Sequence, residues 1–248
     1  MLNINNTKVI LFKTIDSTNN EAQRIIENKN IDSPIWIISE SQKNGRGRSN
    51  NLWISKKGNF FGTLIIPIVW DLNILPILSC VVALSVHESI LNFCTNREDL
   101  KIKWPNDILF QDKKISGILI ENQISKKEKF SIIGIGVNIN SSPTDLNYQT
   151  IYLNGISANK KITSMDFFNV LKEKIHNNIN RFDLSSLNYF IKEISSKSWK
   201  IGEEIYFIDT GITKKNIFKG LSKNYEIILD INGEISILSS GEIAIINK

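Results

Sequence analysis

Residues 101–140 constrain the fold more tightly than any other stretch. Residues 101–104 and 107–110 are two strand-like pieces broken at Pro105, residues 114–122 form a third run, and residues 130–140 a fourth. The gaps between them are turn-length, too short for the helical crossover that joins parallel strands. The pattern therefore predicts an antiparallel or mixed sheet and excludes a Rossmann arrangement.

The flanking segments fill in an α+β architecture of mixed or antiparallel sheet with flanking helices. Residues 8–12 and 35–39 are short strand-like runs, and residues 60–69 form another, with Pro67 near its end. Thr18 and Glu21 have capping-box spacing, which predicts a helix over 19–28. Residues 75–93 read as a buried helix, too short and too polar at its end for a membrane span. Phe167, Phe168, Leu171, Ile175, Ile179 and Phe182 recur at helical period, giving a helix over 164–182, and a second follows over 187–194. Beyond it the pattern changes to short alternating runs at 205–208, 226–231 and 234–238. Asn232-Gly233 between the last two is a strong hairpin signal. This tail reads as a small all-β barrel. The expected division is a larger domain at 1–195 and a smaller one at 196–248.

Bulk properties exclude little, but they narrow the class. With 248 residues, 42% hydrophobic and 22% charged, the chain can build one large core plus a satellite. A net charge of +5 permits a polyanionic partner without requiring one. Cys80 and Cys94 lack metal-ligand spacing and read as free thiols of a cytoplasmic protein. The first residues carry no signal-peptide pattern. His87 and His176 fall in helical segments and read as structural. No P-loop and no Gly-x-Ser-x-Gly motif occurs.

Three motifs carry chemistry. Gly45-Arg46-Gly47-Arg48 places two permanent cations on a glycine-hinged loop, where positive φ and close approach to an anion are expected. Alone, it could equally be a solvated basic turn. Lys103-Trp104-Pro105-Asn106-Asp107 is a turn, and the next run opens with Lys114. Hairpin geometry brings Asp107 and Lys114 to one place, either as a surface ion pair or as a site. In a site, the lysine would stabilise charge on an acyl or phosphoryl oxygen, and the carboxylate would take a proton from an attacking amine. Gly134-x-Gly136-x-Asn138 alternates glycine along a strand, which suits a flat ligand lying on the backbone. Ser17-Thr18-Asn19 is ambiguous, since capping explains Thr18.

The ordered set resembles the biotin protein ligases. It comprises Ser17-Thr18-Asn19, Gln42 with Gly45 to Arg48, Trp53, the pentapeptide from Lys103 to Asp107, Lys114-x-x-Gly117-Ile118-Leu119-x-Glu121 and Gly134-x-Gly136-x-Asn138. Trp199, Gly202 and Ser240-Gly241-Glu242 are similar to the C-terminal barrel of that family. The resemblance implies a fold like class II aminoacyl-tRNA synthetases, with an SH3-like β-barrel at the C-terminus. It implies ATP-dependent formation of biotinyl-5′-AMP, then transfer of biotin to one lysine of a biotin carboxyl carrier protein of acetyl-CoA carboxylase. Biotin and ATP are the substrates, with Mg²⁺ beside the ATP phosphates through ligands the motifs do not specify.

By similarity, Ser17, Thr18, Asn19, Gln42, Gly45, Arg46, Gly47, Arg48, Lys114, Gly117, Gly134 and Gly136 bind biotin. Arg48, Trp53, Lys103, Asn106 and Asn138 bind ATP, and Arg48, Asp107 and Lys114 are catalytic. The family's loop usually continues with another glycine and a basic residue, where this chain has Ser49-Asn50-Asn51-Leu52. Some relatives carry a DNA-binding domain before the ligase. The Ser17 motif comes too early here for one, so neither nucleic acid nor membrane is expected as a partner, whereas a homodimer is compatible. The rival of the same fold is a lipoate or octanoate ligase or transferase, whose Arg-Arg-x-Ser-Gly-Gly-Gly type loop is missing.

Overall fold

The computed structural model describes residues 7–28, 31–125, 128–157 and 161–245. Seven strands form the main sheet: β1 (Lys8–Phe12), β2 (Ile35–Ser39), β3 (Phe60–Pro67), β4 (Leu100–Lys103), β5 (Asp107–Phe110), β6 (Lys113–Ile124) and β7 (Lys129–Val137). Their order is β1-β2-β3-β7-β6-β5-β4. Only β1 and β2 run parallel, because helix α1 (Thr18–Asn28) crosses over between them; every other pair is antiparallel. The short turns of the 101–140 region thus produce the antiparallel half of a mixed sheet.

Side-chain parity divides the sheet into two faces. Trp36, Ile38, Leu64, Ile66, Ile133, Ile135 and Val137 enter a large core with helix α2 (Ile77–Leu91), helix α3 (Ser164–Arg181) and helix α4 (Leu187–Lys197). The intervening residues Ile35, Ile37, Ile65, Phe130 and Ile132 meet Ala22, Ile25 and Ile26 of α1 on the opposite face. Helix α1 is only 11 residues long and leaves part of that face open. Gly134 and Gly136 continue the Phe130–Ile132 row into the uncovered region. Helix α2 is buried on nearly all sides, which explains its unbroken apolar sequence.

The tail forms an antiparallel sheet of β8 (Glu204–Asp209), β9 (Ile212–Leu221), β10 (Ile227–Ile231), β11 (Glu234–Leu238) and β12 (Glu242–Ile243), in the order β11-β10-β9-β8-β12. It is barrel-like but stays open between β11 and β12 among the described residues. It docks on the β4–β5 turn. Trp104 Nε1 donates to the Tyr225 carbonyl at 2.9 Å, and the Tyr225 hydroxyl donates to the Pro105 carbonyl at 2.9 Å. Trp199 Nε1 donates to Asp112 at 2.6 Å.

Some local expectations need correction. Thr18 does not form a capping box with Glu21. Its hydroxyl donates to Gln42, and Glu21 pairs with Arg24 at 2.8 Å. A capping box does form at Thr163 and Asp166, ahead of α3. Strand β9 escapes sequence reading because its first four residues are all exposed and show no alternation. The signal that locates it is Thr210-Gly211, both at positive φ, as a two-residue hairpin turn demands. No helix among the described residues is long and apolar enough to cross a membrane.

The two-faced sheet sets an expectation for stability. Ile133 is fully buried, whereas Ile124 at the strand end is 52% exposed. Ile133→Ala should cost about 2–5 kcal/mol in urea unfolding, and Ile124→Ala about 0.5 kcal/mol or less. Equal costs would contradict the assignment of faces.

Candidate active site

A cavity of about 450 Å³ lies on the uncovered face, between the first turn of α1, the loop after β2, the glycine rows of β6 and β7, and the edge of the tail sheet. One end of it is built on an ion cluster. Lys103 and Asp107 pair in register across the turn joining β4 to β5, and Lys114 stands on the adjacent strand. Lys114 Nζ lies 2.8 Å from Asp107 Oδ1, and Lys103 Nζ lies 3.1 Å from Oδ2. The Asp107 side chain is only 3% exposed, which rules out the surface ion pair. Burial pushes the Asp107 carboxyl up, but Lys114 and Lys103 outweigh it and hold the group below the usual carboxylate range. Asp107 is therefore a carboxylate at neutral pH. Its Oδ1 is buried against the Lys114 ammonium.

Lys103 departs from its expected role at ATP. Its side chain is 1% exposed and is consumed by Asp107, by Glu242 at 3.1 Å and by the Ile243 carbonyl at 2.9 Å. It ties strand β12 to the Asp107 cluster and does not line the cavity. Lys114 does line it, with Nζ 5.6 Å from the Trp53 ring centroid and 5.5 Å from that of Tyr148. Tyr148 is held there because the Lys114 backbone bonds to Gln149 and Ile151 on either side. Glu242 and Tyr148 both line the cavity, and sequence reasoning missed both as site residues.

The Gly-Arg-Gly-Arg loop is a small hairpin. Trp53 N donates to the Gly45 carbonyl at 2.9 Å, and Gly47 N to the Asn51 carbonyl at 2.7 Å. Neither glycine has positive φ. Gly47 is extended at φ −115°, and Ser49 takes the left-handed turn at φ 51°. Gly45 serves the loop itself: a Cβ there would collide with the Trp53 carbonyl and the Ser55 hydroxyl. It is buried and does not line the cavity.

The two arginines differ. Arg46 is bound to Glu121 at 2.6 Å and to Asn20 at 3.0 Å. Arg48 has no acidic partner among the described residues; its guanidinium makes a long 3.4 Å bond to Asn106 and lines the cavity.

The glycine floor is occupied by the chain's own side chains. A Cβ on Gly136 would collide with the Trp53 indole, one on Gly117 would come within 2.9 Å of the same ring, and one on Gly134 would collide with Asn19. The flat group lying on the strand is thus Trp53, whose Nε1 is buried without an acceptor.

At the other end, Ser17, Thr18, Asn19 and Gln42 line the wall. Gln42 accepts from the Thr18 backbone at 2.8 Å, and Asn19 accepts from Thr63 at 2.7 Å. Asn106 also lines the cavity, its amide fixed by a 2.6 Å bond to the Ile118 carbonyl. Asn138 stands apart, in a small adjoining recess shared with Trp53, Lys114 and Tyr148, donating to the Ile151 carbonyl at 3.2 Å. The histidines are structural as expected: burial lowers both His87 and His176 to about 4.

This arrangement separates a neutral hydrogen-bonding wall from a cationic end formed by Lys114 and Arg48. It suits a ligand with a polar, uncharged head and an anionic tail, and a second anion brought against that tail.

Known proteins match the chain in the same region. The model of the biotin/lipoate A/B protein ligase family matches residues 11–138. A biotin–[acetyl-CoA-carboxylase] ligase of Paracoccus denitrificans is 35% identical over 129 residues, 52% of this chain and 53% of that protein. A biotin–protein ligase of Homo sapiens is 30% identical over 147 residues, 55% of this chain and 20% of that protein. The chain thus spans about half the length of the first relative and a fifth of the second. Among solved structures, the biotin protein ligase of Aquifex aeolicus in complex with biotin and ATP superposes with a TM-score of 0.80 at 27% identity, over 96% of this chain and 97% of that one. The Leishmania major biotin protein ligase with biotinyl-5-AMP has a TM-score of 0.69 at 20% identity over 94% and 99%, a likeness of fold.

The glycine floor can be tested directly. Gly136→Ala should fold but displace Trp53, shifting tryptophan emission relative to wild type. The difference should vanish in a Trp53→Phe background. A shift that persists without Trp53 would mean that the indole does not rest on Gly136.

Proposed function

This chain belongs to the biotin/lipoate A/B protein ligase family, and from its site we propose that it is a biotin–protein ligase. It joins biotin to ATP as biotinyl-5′-AMP and passes the biotinyl group to a lysine of a carboxylase carrier protein. The observation that carries the reading is the unpaired Arg48 beside the Lys114–Asp107 pair at one end of a cavity whose other end is neutral and hydrogen-bonding.

In the first step a biotin carboxylate oxygen attacks the α-phosphorus, a P–O bond breaks and pyrophosphate leaves. Two anions must meet, and Lys114 and Arg48 offset their repulsion and the charge developing on the phosphoryl oxygens. Ser17, Thr18, Asn19 and Gln42 hold the ring end, and Gly134, Gly136 and Gly117 make room for Asn19 and the Trp53 indole beneath the ligand. Trp53 and Asn138 lie toward the nucleotide. In the second step the carrier amine attacks the acyl carbon, AMP leaves, and the nitrogen's proton passes to the Asp107 carboxylate.

Mg²⁺ enters with the nucleotide. Among the described residues no three His, Cys, Asp or Glu side chains cluster as a metal site, and Asp107, Glu121 and Glu242 are all paired with Lys or Arg. No step is assigned to the ion. Segment 196–248 acts as a smaller domain that supplies Glu242 to the cavity rim. The lipoate reading draws nothing from the named relatives, which are biotin ligases.

Biotin-dependent exchange of labelled pyrophosphate into ATP, run beside lipoate, tests the substrate; mass analysis of a carrier domain tests the transfer. Biotin should support both and lipoate neither; the reverse would overturn the proposal. Lys114→Ala should slow exchange by about 10²–10³-fold, the loss typical of one charge-stabilising donor. Exchange at the wild-type rate would remove Lys114 from the chemistry.

Asp107→Asn should impair transfer from preformed biotinyl-5′-AMP more than it impairs exchange, because only transfer releases an amine proton. It leaves two lysines without their carboxylate, so folding should be checked first; loss of one partner from a buried pair costs about 3–5 kcal/mol. Equal losses in the two half-reactions would make Asp107 a positioning group.

A further inference from the structure

Glu121 sits where no step of the reaction reaches it, yet it touches both the arginine loop and the Asn19 wall of the cavity. Along β6 it shares the site-facing row with Gly117 and Leu119. Its Oε1 accepts from Arg46 Nη2 at 2.6 Å, and its Oε2 accepts from Asn19 Nδ2 at 2.9 Å. Asn19 Oδ1 accepts from the Thr63 hydroxyl at 2.7 Å, and that hydroxyl lies 2.8 Å from Thr18 Oγ1. Thr18 Oγ1 donates to Gln42 Oε1 at 3.1 Å, and Gln42 Nε2 donates to Ser55 Oγ at 2.9 Å. Gln42 and Ser55 are the two roots of the arginine loop. Thr18 N, beside Asn19 at the start of α1, also donates to Gln42 Oε1 at 2.8 Å, so the contacts lead from Arg46 through β6 and α1 back to the base of the loop.

We propose that Glu121 is a positioning residue of this site: its carboxylate latches the arginine loop through Arg46 while fixing Asn19 against Gly134. The inference rests on the ligase reading for its substrates and adds to it a division between the two arginines. Arg46 is spent on the latch, leaving Arg48 for the ligand. The latch is breakable, because Arg46 is 37% and Glu121 24% exposed, so water can replace either partner. Asn19 is 4% exposed and cannot be rehydrated in the same way. One carboxylate thus makes one breakable contact and one permanent contact. A substrate that presses on Asn19 acts on the group that holds the loop.

The test compares Glu121→Ala, Glu121→Gln, Arg46→Ala and the double variant Arg46→Ala/Glu121→Ala. In the ligand-free protein, both alanine variants should speed hydrogen–deuterium exchange over residues 44–51, and the double variant should add nothing further. With substrates, Glu121→Ala should raise both the KM for biotin and the escape rate of biotinyl-5′-AMP by about fivefold, the upper end for a partly exposed ion pair. Transfer at saturating preformed adenylate should stay within about twofold of wild type. Glu121→Gln keeps the shape but not the charge and should show most of the effect on escape.

Independent effects of Arg46 and Glu121 that multiply in the double variant would overturn the latch. So would a Glu121→Gln enzyme identical to wild type, or a fall in melting temperature with KM and loop exchange unmoved. Failure of the ligase reading would appear separately, as wild-type protein that makes no adenylate, and the exchange arm tests the latch even then.

Discussion

Asp107 can be buried as a carboxylate only because two lysines reach it from different strands. Desolvation alone would neutralise it; Lys103 and Lys114, each within about 3 Å, reverse that. The same contacts hold the structure together around the cavity. Lys103 belongs to β4, Asp107 to β5, Lys114 to β6, and Glu242 joins Lys103 from the tail sheet. The cluster carries two positive and two negative side chains, so it brings little net charge. Lys114 is its least buried cation at 15% exposed, and it is the one turned toward the cavity. With Arg48, it sets the sign of that end.

The rest of the site follows from sheet parity. A strand whose alternate residues feed two cores must change character where one covering helix stops. On β7 the α1-facing row runs Phe130, Ile132, Gly134, Gly136: two large side chains under the helix, then none where the cavity begins. On β3 the same row places Thr63, fully buried, beneath Asn19, where its hydroxyl supplies a bond that an apolar residue could not. Trp53 lying on the glycines keeps the floor covered. Its unpaired Nε1 is a buried donor that a ligand acceptor would satisfy.

Sequence reasoning reached the fold class because turn length and alternation are local properties. Asn232-Gly233, the run of short gaps from 101 to 140 and the period of α3 all follow from neighbours in the chain. The cavity-lining residues Arg46, Arg48, Asp107 and Lys114 were legible because charged residues stand out beside apolar strands, whereas Gln42 and Trp53 were legible only through the family resemblance. Sequence reasoning misplaced roles wherever a partner lies far away. Lys103 read as a nucleotide contact because nothing local reveals Glu242, 139 positions downstream. Gly45 and Gly47 read as sources of positive φ, whereas Ser49 makes the turn and Gly45 makes room for the Ser55 hydroxyl. Arg46 and Arg48 are equivalent in sequence. Only the position of Glu121 on β6 tells them apart. Tyr148 has no local signal at all; its place depends on the pairing of residues 149–151 with Lys114.

On the proposed ligase reading, the depressed pKa of Asp107 bears on the second half-reaction. A carboxylate held below its usual range is a weak base toward a free lysine ammonium, whose pKa is near 10.4. It cannot strip that proton in advance. It can attract the ammonium to the cavity mouth, and the amine that attacks has already lost its first proton to solvent. As the nitrogen bonds to the acyl carbon, it becomes far more acidic than any ammonium. A weakly basic carboxylate oxygen is then an adequate acceptor at the moment the proton must leave. The two lysines that weaken Asp107 as a base also keep it ionised and in place. The arrangement trades proton affinity for a carboxylate that is always ready, which suits a proton lost late in the step.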